Sequence, residues 1–176
     1  MNEFVSDLKK IKQRARAHME QGAVTENYKA DLQQVLKVLN EVLATEIVCT
    51  LRYRRHYYTV SGINSEGAKA EFLQHANEEQ QHADWIATRI VQLNGEPNFS
   101  PEGLGTRAHS EYNDSEDLVS MLKEDLYAER IAIESYSEIV RWLSDNDPTT
   151  RKLIEDILKV EEEHAEDLKS LLEKMS

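Results

Sequence analysis

The sequence predicts an all-α protein: a four-helix bundle of two antiparallel hairpins joined by a long crossover, with a short helix in front. Three observations carry this. Apolar residues recur at three- and four-residue spacing through four long stretches. The 176 residues include only three prolines and six glycines, with 31% charged and 40% hydrophobic side chains, a balance that suits soluble helices. Two of the three links between the long stretches are short, and the middle one is twenty residues long.

Taken in order, a first helical stretch runs from about Asn2 to Glu20 and ends near Gly22. It forms an N-terminal extension over residues 1–22, ahead of a bundle over 26–175. The second covers Glu26 to Val60, stopping at Ser61-Gly62, and the third Ser65 to Leu93, closed by Asn94-Gly95-Glu96-Pro97. The fourth runs from Ser115 to Leu143. The last spans Asp147 to Lys174, where Asp147-Pro148 supplies an N-cap and a first-position proline. Tight turns at 61–64 and 144–146 make each flanking pair antiparallel neighbours. Residues 95–114, with Pro97, Pro101, Gly95, Gly103 and Gly105, can reach roughly 65 Å if extended. A helix of 28 residues is about 42 Å long, so this link can run the length of the bundle.

Composition bounds function loosely. A formal net charge of −12 argues against a surface that is basic overall and made for nucleic acid. No apolar run approaches a membrane span, so no membrane association is expected. The opening MNEFVSDLKK lacks the pattern of a secretory signal. Cys49 is alone, so no internal disulfide forms, and the expected compartment is the cytoplasm.

The chemistry sits where charges interrupt the apolar stripes. Glu46 falls among Leu32, Val35, Leu39, Val42, Cys49 and Tyr53. Glu79 and His82 interrupt Phe72, Ala76, Ala83, Ile86, Ile90 and Leu93. Glu129 lies within Leu118, Leu122, Leu126, Ile133, Tyr136, Ile139 and Leu143, and Glu161 and His164 within Ile154, Ile157, Leu158, Leu168, Leu171 and Leu172. Glu79-Gln80-Gln81-His82 and Glu161-Glu162-Glu163-His164 repeat one Glu-x-x-His motif, each with a glutamate upstream at nearly the same distance. The i, i+3 spacing places carboxylate and imidazole on one helix face, about 5 Å apart at their stems. Glu46 and Glu79 flank the first tight turn at equal distance, as Glu129 and Glu161 flank the second, so all six side chains meet at mid-bundle. Four buried carboxylates are not tolerated unpaired, and no lysine or arginine lies on the stripes. Two divalent cations would balance them, with neutral histidines completing each sphere. Glu162 and Glu163 point away, into solvent.

Other residues read more simply. Cys49 is a buried thiol, and Trp85 and Trp142 are packing residues. Tyr53 and Tyr136 are core residues with a polar tip, Tyr53 being also a candidate hydrogen-bond partner or electron donor at the site. His75 shares a face with His82 and is a core or surface histidine, or a ligand to a peripheral ion. Asp125 is a weak candidate for a metal access path.

The segments LNEVLATEIVCTLRY, EEQQHADWIATRIVQLNGEPNF, DLYAERIAIESY and EEEHAEDL together resemble bacterioferritin and its relatives in the ferritin-like diiron-carboxylate superfamily, over about Asp31 to Met175. That superfamily places one Glu from each of two helices and a Glu-x-x-His from each of the others around two irons. The resemblance implies Glu46 and Glu129 as terminal carboxylates, Glu79 and Glu161 as bridges, His82 and His164 as one ligand to each iron, and Tyr53 beside the centre. Two iron ions per subunit are expected, with manganese or zinc as substitutes. The chain departs from the pattern at Gln80, where bacterioferritin has a haem-ligating methionine, so haem is not expected there. Only 12 residues follow His164, too few for the fifth helix of 24-subunit ferritins. The leading helix is similar to that of Dps-like mini-ferritins, which favours a homo-oligomeric shell of 12 subunits over 24. The implied activity is a ferroxidase that oxidises Fe²⁺ with O₂ or H₂O₂ and sequesters Fe³⁺. Two alternatives remain. One is a DNA-binding starvation-protection protein that uses Lys9, Lys10, Lys12, Arg14 and Arg16. The other is a non-storing diiron or dimanganese peroxide-scavenging enzyme.

Overall fold

The computed structural model describes residues 5–62 and 65–175, and within them every regular element is helical. In order these are α1 (Leu8–Arg16), a 3-10 turn (Met19–Gln21), α2 (Leu32–Thr59), α3 (Ser65–Gln92), α4 (Leu104–Arg107), α5 (Leu118–Leu143) and α6 (Pro148–Glu173). The expected helix start at Asn2 and residues 63–64 of the first turn lie outside the described residues.

Three of the four long helices begin at an aspartate cap. The Asp31 carboxylate accepts from the backbone N–H groups of Gln33 and Gln34 at 3.1 and 3.2 Å. It thereby satisfies donors that a helix start leaves orphaned. The second helix therefore opens at Leu32, six residues later than expected. Residues 24–31 are instead irregular, and Val24, Tyr28 and Ala30 pack against the core. Asp117 caps α5 through the Ser120 N–H at 3.0 Å, and Asp147 caps α6 through that of Thr150 at 2.9 Å. α3 ends with Asn94 in the left-handed region (φ 62°) and the Gly95 N–H donating to the Ile90 carbonyl at 2.9 Å. A Cβ at Gly95 would fall 2.4 Å from Leu36 Cδ2, so any larger residue here would have to displace the Leu36 side chain.

The strongest pairings are α2 with α3 and α5 with α6, the two expected hairpins. The link between them follows α2 along most of its length. Asn98 donates its N–H to Asn40 Oδ1 (2.7 Å), and His109 to Thr45 Oγ1 (2.9 Å). Further on, Arg52 Nη1 donates to the Glu111 carbonyl (3.2 Å) and Arg55 Nη1 to that of Ser115 (2.8 Å). The crossover is thus a bonded strap, and α4 is a single turn within it.

Apolar burial is split into two clusters. One is built on Leu39, Leu43, Ile86, Ile90, Leu143 and Ile154. The other contains Phe72, Ala76, Met121, Leu122 and Leu168. Between them lies a polar layer at mid-bundle. By contrast, α1 buries none of its residues. Trp85 and Trp142 are 42% and 43% exposed, so packing within the protomer does not account for them. Both face outward because their positions on α3 and α5 lie off the inward stripes. Among the described residues, no helix is long and apolar enough to cross a membrane.

Candidate metal centre

The polar layer consists of the six side chains singled out by the motif. Glu46, Glu79, Glu129 and Glu161 are each 1% exposed, His82 1% and His164 2%. They fall into two sets. Glu46, Glu79, His82 and Glu161 bring ligand atoms within 4.8 Å of one another, and so do Glu79, Glu129, Glu161 and His164. Glu79 and Glu161 belong to both sets, while Glu46 with His82 and Glu129 with His164 belong to one each. Glu162 and Glu163 are exposed, and Gln80 is exposed and donates to Asp84 Oδ1 at 3.2 Å.

The donor set fits two cations because protein groups alone leave it unsatisfied. Glu79 Oε1, Glu129 Oε2, both Glu161 oxygens and His164 Nδ1 are buried without a hydrogen-bond partner, which is costly in a low-dielectric interior. His82 Nδ1 lies 3.0 Å from Glu161, 3.2 Å from Glu46 and 3.8 Å from Glu79. His164 Nδ1 lies 3.4 Å from Glu79, 3.3 Å from Glu161 and 4.0 Å from Glu129. In both histidines the same ring nitrogen faces the carboxylates.

Protonation takes over the neutralising role when no cation does so. Burial and the Glu79 charge raise the Glu46 carboxyl to about 8. Burial with the charges of Glu79 and Glu161 holds Glu129 well above the carboxylate range. Burial opposes the imidazolium of His164, but Glu161, Glu79 and Glu129 outweigh it and raise the ring to about 12. His82 is raised strongly in the same way by Glu161, Glu46 and Glu79. Burial acts upward on Glu79 and Glu161, with repulsion from Glu161 on Glu79 and from Glu46 on Glu161, yet the two imidazoles bring both below their ordinary value. The directions are complementary: protons are favoured on Glu46, Glu129 and the two imidazoles, and disfavoured on Glu79 and Glu161.

The surroundings are pseudo-twofold. Tyr53, on α2, donates a short hydrogen bond to Glu129, and Tyr136, on α5, donates one to Glu46. Burial and the neighbouring carboxylates raise both phenols well above 10, so they stay protonated donors. Tyr136 thus stands in the same relation to Glu46 as Tyr53 to Glu129, a partnership its polar-tipped core position did not specify. The sequence also gave no sign of Glu78, whose Oε2 lies 2.8 Å from His164 Nε2. This contact fixes the ring so that Nδ1 faces inward, as partners of metal-binding histidines commonly do.

One expectation is corrected. Asp125 is fully buried, with Oδ1 2.8 Å from Arg52 Nε and Oδ2 2.8 Å from His56 Nδ1. Both oxygens are taken by side chains of α2, so it is a structural ion pair and not an access path. Arg52 is also fully buried although it lies off the apolar stripe. Its charge is paired with Asp125 and not with the four glutamates. Cys49 is buried, as expected, 3.5 Å from Arg52 Nη2 and 3.6 Å from Ser110 Oγ.

Residues 36–176 match the family described as Ferritin, a ferritin-like domain. The chain is 26% identical over 132 residues to the bacterioferritin of Desulfovibrio desulfuricans (strain ATCC 27774), covering 74% of this chain and 70% of that protein. It is 30% identical over 139 residues to the bacterial ferritin of Neisseria meningitidis serogroup B, covering 76% and 82%. Among solved structures it is similar to a dodecameric thioferritin, the bacterioferritin-related protein of Bacteroides fragilis. That match has a TM-score of 0.80 and 34% identity, and covers 84% of this chain and 89% of that one. The carboxylate–histidine layer, the crossover topology and these similarities place the chain in the ferritin-like family of iron-storage proteins, which includes bacterioferritin and Dps.

Proposed function

We propose that the protein is a ferroxidase that detoxifies and stores iron, taking two Fe²⁺ per chain as substrate at the six-residue layer. The observation that carries this is the sharing of Glu79 and Glu161 by both ligand sets. Two cations held by common carboxylates lie close enough to deliver two electrons to one acceptor. The balance is two Fe²⁺ to two Fe³⁺, with either O₂ and two protons giving H₂O₂ or H₂O₂ and two protons giving two waters.

The residues divide the work. Glu46 with His82 and Glu129 with His164 each bind one ion, while Glu79 and Glu161 bridge. Anionic oxygen donors favour the higher charge of Fe³⁺, and the imidazoles suit the ferrous ion. Tyr53 and Tyr136 orient the terminal carboxylates through their phenolic protons. Four carboxylates against two divalent ions leave the loaded layer neutral, so the low-dielectric interior tolerates it.

The similarity to a dodecameric relative, together with exposed Trp85 and Trp142, favours a shell of 12 copies that sequesters the oxidised iron. The double variant Glu46→Ala with His82→Ala tests the centre. Fast Fe²⁺ oxidation should disappear while helicity stays, and undiminished oxidation would sink the assignment.

One observation supports a second role. α1 buries none of its residues and carries Lys9, Lys10, Lys12, Arg14 and Arg16, which suits phosphate contact. Gel-shift binding of duplex DNA that vanishes on removing residues 1–20 would establish it. Retention of binding would exclude this segment.

A further inference from the structure

We propose a third cation site, separate from the six-residue layer, formed by Glu71 and His75 of α3 with Asp167 of α6. The three residues bring ligand atoms within 4.8 Å of one another. His75 is the informative member. Its side chain is fully buried, yet neither ring nitrogen has a hydrogen-bond partner. No carbonyl, hydroxyl or other protein group takes up either nitrogen, as would be usual for a histidine kept only for packing. Nε2 points between two carboxylates, 3.8 Å from Glu71 Oε2 and 3.7 Å from Asp167 Oδ2. These gaps are too long for hydrogen bonds. They are close to the roughly 3.4 Å that separates two ligands each about 2.1 Å from one tetrahedral ion.

The donor chemistry selects the class of ion. One imidazole nitrogen and two carboxylates suit a divalent first-row transition metal over calcium or magnesium, which take oxygen alone. Glu71 and Asp167 have side chains 34% and 50% exposed, so the ion reaches them directly from solvent. On its inner side the His75 ring stacks on His164, with centroids 3.9 Å apart. His164 Nε2 in turn contacts Glu78, the carboxylate one turn beyond His75. The site is a mononuclear outpost at the α3–α6 surface, one aromatic ring from the proposed dinuclear centre. It needs none of the six inner ligands to bind. On the ferroxidase reading it is a staging position for Fe²⁺.

Co²⁺ titration of chelator-stripped protein in excess Mg²⁺, followed by visible absorbance and equilibrium dialysis, tests this. The wild type should bind three Co²⁺ per chain, and His75→Gln and Asp167→Asn should each bind two. Asp167 is half exposed, so its variant leaves packing undisturbed even if the histidine variant loses helicity. Glu46→Ala with His82→Ala should keep the equivalent that depends on His75. A wild type that stops at two, unchanged in both outer variants, would overturn the site, as would a third equivalent that survives them. A single equivalent lost with His75 would uphold the site while removing the dinuclear reading.

Discussion

Loading the centre with metal must expel the protons that neutralise it, and their number follows from the structure. Without cations, Glu46 and Glu129 are held as neutral acids and His82 and His164 as imidazolium ions. Glu79 and Glu161 are already ionised. Metal binding requires carboxylates and neutral imidazoles, so each of the four protonated groups gives up one proton. At pH 7 Glu46, at about 8, is still roughly nine-tenths protonated, so release is about four protons for two divalent ions. Affinity for the pair then tightens up to about 10⁴-fold between pH 6 and 7, since each proton contributes tenfold per unit. Calorimetric titration of Zn²⁺ into stripped protein, repeated in buffers of different ionisation enthalpy, counts the protons directly. About four at pH 7, falling toward three above pH 8 as Glu46 ionises beforehand, is the expected result. Release of fewer than one would show that the empty centre holds free carboxylates and neutral histidines, and would refute the reasoning.

Other expectations follow from the same contacts. A carboxyl raised from 4.5 to about 8 costs the fold nothing below pH 4.5 and its full penalty above pH 8. The stability of stripped protein should therefore decline as pH rises to 8, by up to about 1.4 kcal/mol per unit for Glu46 alone. Zinc-loaded protein should lack this decline, and thermal melts at pH 6 and 8 with and without chelator compare the two. Tyr53→Phe and Tyr136→Phe each remove a donor to a terminal carboxylate and should weaken metal binding about 10–100-fold. Dialysis against Zn²⁺ measures this, and wild-type affinity in both variants would exclude an orienting role. Asp125→Ala strands the buried Arg52 charge and should cost about 3–5 kcal/mol. Denaturant unfolding reads that loss, and metal stoichiometry should stay at the wild-type value.

Much of the centre was legible because burial and ionisation conflict so strongly. A glutamate on an apolar helical stripe is anomalous by itself, and Glu46, Glu79, Glu129 and Glu161 are four such anomalies at matched heights. Local spacing is enough to find them. What stayed hidden depends on how helices face each other. Glu78 meets His164 across 86 positions, and Arg52 meets Asp125 across 73. Both lie off the inward stripe, where periodicity predicts solvent. In sequence His75 fits a core, a surface or a ligand reading, and its burial with two unpartnered nitrogens is a fact of the folded chain alone. The late start of α2 was written in Asp31, a good N-cap, but the polar residues before it share enough helix propensity to blur the boundary. Trp85 and Trp142 read as packing residues because aromatic side chains usually pack, and their positions off the inward stripes are what leave them 42% and 43% exposed.

Anaerobic addition of Fe²⁺ at rising ratios, followed by O₂ with absorbance and particle mass recorded together, tests the central claim most directly. The account predicts that fast oxidation saturates at two irons per chain, and that further iron accumulates in a particle of about twelve 20.3 kDa chains. Saturation at two irons in a small oligomer without further uptake would contradict storage and leave a diiron redox enzyme. No saturable iron phase would contradict the ferroxidase centre itself and point to manganese.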